Sequence, residues 1–364
     1  MGLACGIVGL PNVGKSTIFN AITAVGAESA NYPFCTIEPN IGVVDVPDDR
    51  LAKIREFIPS GRLVPTSLKV VDIAGLVKGA STGEGLGNKF LGTIKECDAI
   101  LHVVRCFEGG DIIHVSGTVD PARDIEVIDV ELALADLDTV QRGVDRIGKK
   151  ARSGDKEALF AKEVMDRAGQ LLAAGKQLRL TEWNRDERAV LDPLFLITMK
   201  PVLFVANVAD SDLDGRSPLV DVVRKHAAAT GAQVVALSGA IEGEIMALDP
   251  ADRAAFLADM GLAEPGLHRL IRQAYALLGL QTFFTAGEME IRAWTIHQGD
   301  AAPKAAGVIH TDFEKLFIRA DVYSIDDLIA YRSEAAIKAA GKMRSEGREY
   351  VLREGDICHF LIGK

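Results

Sequence analysis

Nowhere in these 364 residues does an apolar run reach the ~20 residues needed to cross a bilayer. The longest candidate, 193–209, is broken by Lys200-Pro201, so no membrane span is expected. Cysteine is scarce as well. The five thiols, Cys5, Cys35, Cys97, Cys106 and Cys358, form no C-x-x-C pair and no zinc spacing, which suits a reducing cytosol and a cytoplasmic protein. The apolar opening 1–10 lacks the basic n-region of a signal peptide and reads instead as a strand. Positive charge is in deficit: 41 Lys and Arg face 51 Asp and Glu, a net charge of -10. That balance argues against nucleic-acid binding by the whole surface and against a DNA partner, while leaving room for a local basic face on RNA. With 48% hydrophobic and 25% charged residues, the chain has the composition of an ordinary globular protein, and its length allows two or three cores.

What is present is organised around Gly9-Leu10-Pro11-Asn12-Val13-Gly14-Lys15-Ser16-Thr17, a full match to the phosphate-binding loop G-x-x-x-x-G-K-[ST]. An apolar stretch, 3–10, precedes it and a helix-compatible one, 16–23, follows, giving the order strand, glycine loop, helix. Backbone N–H groups of such a loop form an anion nest at a helix N-terminus, with the Lys15 ammonium on the β and γ oxygens of a nucleoside triphosphate. Ser16 would hold Mg2+ through its hydroxyl. Thr36, in the polar loop before a strand at 41–46, is the candidate switch ligand that reaches Mg2+ when the γ-phosphate is present.

Downstream, the apolar run 68–74 ends in Asp72-Ile73-Ala74-Gly75, the D-x-x-G pattern of switch proteins. At a strand's carboxyl end Asp72 can hold a water on Mg2+. The next residue, Leu76, stands where Ras-like enzymes carry a water-orienting glutamine, so slow hydrolysis aided by another group, a cation or a partner is expected. The strand at 98–106 makes His102 a core histidine. His114 lies in the following loop. From 124 to 200, apolar residues at three and four spacing (Val127, Val130, Leu134, Leu137, then Leu159, Phe160, Val164, Ala168) predict an antiparallel helical hairpin inserted in an α/β core. The strand at 201–208 ends in Asn207-Val208-Ala209-Asp210, where GTPases carry N-K-x-D with an Asp that reads guanine N1 and N2; here the lysine is missing. With Ser238-Gly239-Ala240 at the end of a strand at 232–237, it frames a base pocket. From about 279 the pattern becomes a small α+β module.

The phosphate loop, Tyr32-Pro33-Phe34-Cys35-Thr36, Asp72-Ile73-Ala74-Gly75, the helical insertion and the segment 307–315 together resemble the YchF or Obg-like ATPases along essentially the whole length. The resemblance implies a Ras-like P-loop NTPase G domain (1–123 and 200–279), a coiled-coil arm (124–199) and a C-terminal TGS domain of ubiquitin-like, β-grasp fold (280–364). It also implies an ATPase that meets the ribosome and its RNA and acts as a regulatory switch, with GTP preference as the alternative. In its terms Asn12, Val13, Gly14, Lys15, Ser16 and Thr17 cradle the phosphates, and Asn12 holds a K+ ion beside the Mg2+ of Ser16 and Thr36. His114 becomes a catalytic residue with Lys15, while Asn207, Val208, Ser238, Gly239 and Ala240 line adenine. Two departures stand out: Asp210 occupies the place of the family's usual glutamate, and Leu316 the place of an expected glycine. A small-molecule kinase and a nucleotide-stabilised scaffold are the competing functions. The kinase is disfavoured because D-x-x-G and the Thr36 loop belong to switch proteins.

Overall fold

The computed structural model describes residues 3–28, 40–73, 86–109 and 117–363, without the side chains of 25–28 and 86–90. They divide into two compact units, the first formed by 1–44 with 69–270 and the second by 45–68 with 271–364.

The first unit is α/β. Its six-stranded sheet has the order Ile41–Asp45, Ser67–Asp72, Ala4–Val8, Ala99–Arg105, Val202–Asn207, Gln233–Leu237. The pairs from Ser67–Asp72 onward are parallel. Every residue of Ala4–Val8, Ala99–Arg105 and Val202–Asn207 is buried, as central parallel strands covered on both faces must be. Their carboxyl ends come together at one edge, where the phosphate loop leads into the helix Lys15–Glu28.

The insertion rises as the helix Pro121–Arg152 followed by Lys156–Ala173. Asp120 caps the first by accepting from the Arg123 N–H, and Pro121 occupies its first turn, where no amide donor is missed. Gly154 turns the chain at φ 86°, and Asp155 caps the second helix. The boundary read at 124 therefore falls inside the first helix. Between the helices Val140, Val164, Met165, Ala168 and Leu172 form a core with Leu178, Trp183 and Leu196. Of the residues expected to face inward, Val130, Leu134, Leu159 and Phe160 are exposed, while Ile125, Ile128 and Leu132 are buried. The reason is that the long helix changes neighbours along its length. Its first turns lie on the strand Ala99–Arg105 and the helix Pro218–Thr230, its later ones on the returning helix.

The second unit is α+β, with the strand order Arg344–Glu346, Phe317–Ser324, Asp356–Ile362, Leu280–Ala286, Ile291–His297, Leu63–Val64. Two antiparallel pairs are joined by the parallel contact of Asp356–Ile362 with Leu280–Ala286, the β-grasp arrangement. On one side Phe283, Phe317, Val322 and Cys358 pack with Ala302, Ala305 and Ala306 of the helix Ala302–Ile309. On the other, Phe284, Ile291, Tyr323 and Ile357 pack with Leu51 and Ile54 of the helix Arg50–Phe57. Residues 45–68, read from the sequence as part of the nucleotide-binding domain, thus belong to the C-terminal unit, because they supply an edge strand and a helix that its sheet needs. Leu316, at the end of the helix Thr311–Leu316, accepts from the Gly363 N–H and does not take the left-handed backbone that would call for glycine.

Candidate nucleotide site

Two glycines allow the phosphate loop its path. Gly14 sits at φ 98°, and an added Cβ would collide with the Asn207 amide nitrogen. Gly9 has φ 154°, and its Cβ would meet the Val103 carbonyl oxygen at 2.5 Å. Between them Asn12 takes the left-handed conformation, φ 64°, which asparagine tolerates better than most residues.

The loop floors a cavity of about 670 Å³ at the carboxyl edge of the sheet. Asn12, Gly14, Lys15, Ser16 and Thr17 line one end, Asn207, Val208, Asp210, Ser238 and Ala240 the other. Of the residues singled out in the sequence, Val13 and Gly239 are not on its wall. They act from below, since the Asn207 side chain donates to the Val13 carbonyl at 2.9 Å and accepts from the Gly239 N–H at 3.0 Å. Asn207 is buried and so welds phosphate loop, strand end and base-side turn into one body.

Lys15 is also buried, and its ammonium donates to the Leu10 carbonyl at 2.7 Å. Burial lowers its pKa to about 8, against a smaller upward pull from the Asp72 carboxylate. Ser16 Oγ donates to Asp72 Oδ2 at 3.2 Å. The other oxygen, Asp72 Oδ1, is buried with no hydrogen-bond partner among the described residues. An orphaned carboxylate oxygen beside a serine hydroxyl fits a hydrated Mg2+: oxygen donors, one direct and one through water. Thr36 and His114, the other proposed Mg2+ and catalytic residues, lie outside the described residues, as do Gly75 and Leu76.

The sequence reading missed the wall between the two ends, formed by Arg105, Phe107, Glu108 and Gly109. Arg105 is buried at the end of its strand, its guanidinium 4.4 Å from the Phe107 ring centroid. Its Nη2 donates to the Gly109 carbonyl at 2.8 Å and its Nη1 to the Asn12 carbonyl at 3.5 Å. An arginine closing a fully buried strand was the available signal, since arginine is rarely buried without a task. His102, on the same strand, is a core residue as expected. It packs on Phe204 at 5.3 Å, and burial, with the nearby Arg179, His226 and Lys15 charges, pushes its pKa down to about 3.

Residues 4–140 match the family described as MMR_HSR1, 50S ribosome-binding GTPase, and residues 280–363 match YchF-GTPase_C, a protein of unknown function. The chain is 54% identical over 362 residues to the ribosome-binding ATPase YchF of Escherichia coli O157:H7, covering 100% of this chain and 99% of the relative. To the Bacillus subtilis protein of the same name it is 50% identical, covering 99% of each. Similarity extends to the Obg-like ATPase 1 of Gallus gallus, 44% identical over 98% of this chain and 92% of that one. The solved YchF GTPase of Schizosaccharomyces pombe superposes with a TM-score of 0.88 at 38% identity, over 99% of this chain and 98% of that chain.

Proposed function

The chain belongs to the YchF family of Obg-like ATPases, and from that premise we propose that it is a Mg2+-dependent nucleoside triphosphatase that binds the ribosome in the cytoplasm and reports its nucleotide state to it. ATP, the nucleotide in the relatives' names, is one substrate and GTP a second; ADP or GDP and phosphate are the products. The observation that carries the reading is at the phosphate end: Lys15 and Ser16 line the cavity, and the Ser16 hydroxyl donates to Asp72, whose other carboxylate oxygen is buried without a hydrogen-bond partner among the described residues.

Catalysis by these residues is positioning and electrostatics. Lys15 exchanges its bond to the Leu10 carbonyl for the β and γ oxygens and meets the charge that grows there. Ser16, Thr36 and, through water, Asp72 would hold the Mg2+, which neutralises phosphate charge and orients the γ-phosphoryl. With Leu76 in the glutamine's place, His114 would orient the attacking water, and Asn12 would hold a K+ ion, which would supply further positive charge. Ribosome co-sedimentation with a non-hydrolysable triphosphate, ADP and no nucleotide tests the coupling: unequal binding is expected, and equal binding in all three would leave only a scaffold. His114→Ala should lower turnover at least about tenfold with nucleotide affinity nearly unchanged; equal loss of both would remove His114 from the mechanism.

A further inference from the structure

Away from the nucleotide cavity, the arm carries a second hollow. A groove of about 720 Å³ opens where the chain leaves the returning helix Lys156–Ala173 and enters the short helix Arg185–Leu191, and its walls bear three guanidinium groups, Arg167, Arg179 and Arg188. That is a concentration of positive charge on a chain whose net charge is -10. The three are engaged to different degrees. Arg167 is spent: its Nη1 donates to Glu187 Oε1 at 2.6 Å, and its guanidinium lies 4.5 Å from the Trp183 ring centroid. Glu187 is spent too, since its Oε2 accepts from the Asn184 N–H at 2.9 Å. Arg179 is half used. Its Nη1 donates to Gln177 Oε1 at 3.1 Å, while its Nη2 is buried with no hydrogen-bond partner among the described residues. Burial disfavours its charge, against an opposing pull from Asp129. Arg188 is exposed and holds no ion pair among the described residues. That leaves Glu182, exposed on the rim, against two guanidinium groups with donors to give.

Two further features narrow what enters. The Trp183 ring is buried, one face lies under Arg167 and its Nε1 donates to the Leu178 carbonyl at 3.0 Å, so it offers no open platform for a nucleobase to stack on. The Glu182 and Glu187 carboxylates repel a run of phosphates but leave room for a single carboxylate. A planar guanidinium matches a carboxylate in two parallel hydrogen bonds, and Leu180, 50% exposed on the same wall, offers an apolar contact beside it. We propose that this groove docks a peptide segment of a partner protein, in which one carboxylate, from a side chain or a chain terminus, meets Arg188 and draws the unpartnered Nη2 of Arg179 toward it, with a neighbouring apolar side chain against Leu180.

The test follows the indole N–H signals of the full chain by NMR, two signals for two tryptophans, with Trp294→Phe used only to tell them apart. Trp294 lies in the C-terminal unit and serves as the internal reference. The probes are acetyl-Gly-Leu-Glu-Leu-Gly-amide, its Gln counterpart, the Gln peptide with a free terminal carboxylate, and hexauridylate. At least one of the two acids should move the Trp183 signal saturably and leave Trp294 in place, and the uncharged amide should bind at least about tenfold more weakly. Whichever acid binds tighter names the source of the carboxylate. Arg188→Gln should weaken that acid at least about fivefold while nucleotide affinity and turnover stay as they were. Leu180→Ser should weaken acid and amide peptides alike. Equal binding of acid and amide, no movement of Trp183 with either acid, undiminished binding in Arg188→Gln, or tighter binding of hexauridylate than of both acids overturns the peptide reading, the last in favour of RNA.

Discussion

Lys15 is charged in a place that disfavours charge, and this makes nucleotide binding depend on pH with a definite sign. Its pKa in the folded chain is about 8 against an ordinary 10.5. Between those values the unfolded chain holds more protons than the folded one, so this group's contribution to stability is present above the unfolded value and is lost as pH falls through about 8. A polyphosphate on the ammonium restores the proton, so binding above about pH 8 must take one up. Affinity for GDP or ADP should weaken about tenfold from pH 7 to pH 9. Titrations at pH 8.5 in buffers of different ionisation enthalpy should register uptake of up to one proton, and a flat profile would show that Lys15 stays charged throughout. Lys15, Ser16 and Asp72 could be picked out from motif spacing because backbone geometry dictates those residue types. Arg105 and Phe107 belong to no such motif: the strand-closing arginine marks Arg105 as a residue with a task, but its place and that of Phe107 on the wall depend on how the segment after the strand folds beside the phosphate loop.

A buried carboxylate ties the long helix of the arm to the turn that leads into the strand Val202–Asn207. Asp136, fully buried on the long helix, accepts from the Ile197 N–H at 2.9 Å, and from the Thr198 N–H and hydroxyl at 2.7 Å each. Burial raises its pKa, and those three donors oppose the rise. Asp136→Ala would strand three donors in the interior and should cost about 2–4 kcal/mol, read as a lower midpoint in urea with unchanged slope. A loss below about 0.5 kcal/mol would mean that water reaches the site. The helices themselves were legible from their periodicity and caps. Which apolar residues they bury was legible only in part: Val164 and Ala168 face the hairpin partner as the spacing suggests, whereas Val130 and Leu134 are exposed, on a side of the long helix that no neighbour among the described residues covers.

At the scale of the molecule, the C-terminal unit is completed by a segment from far upstream. Ile54 is fully buried among Phe284, Tyr323 and Ile357, and Leu63–Val64 pairs in parallel with Ile291–Arg292. A fragment of residues 271–364 should therefore fail to fold cooperatively, with poor dispersion in its amide spectra, and addition of a 45–68 peptide should improve it; a well-dispersed fragment would show the upstream segment to be dispensable. In the full chain Ile54→Ala should destabilise this unit by about 2–4 kcal/mol. The sequence by itself determined the phosphate loop, the strand that ends in Asp72 and the α/β to α+β change of character, because each of these depends on local backbone geometry or on periodicity within one element. Only the tertiary structure decided that 45–68 leaves the nucleotide-binding unit, that Arg105 walls the cavity, and that Ser238 turns its proton toward Asp210. Those outcomes join residues 28 or more positions apart, or depend on which neighbour a helix meets, and burial and hydrogen-bond satisfaction settle them only after the elements have packed.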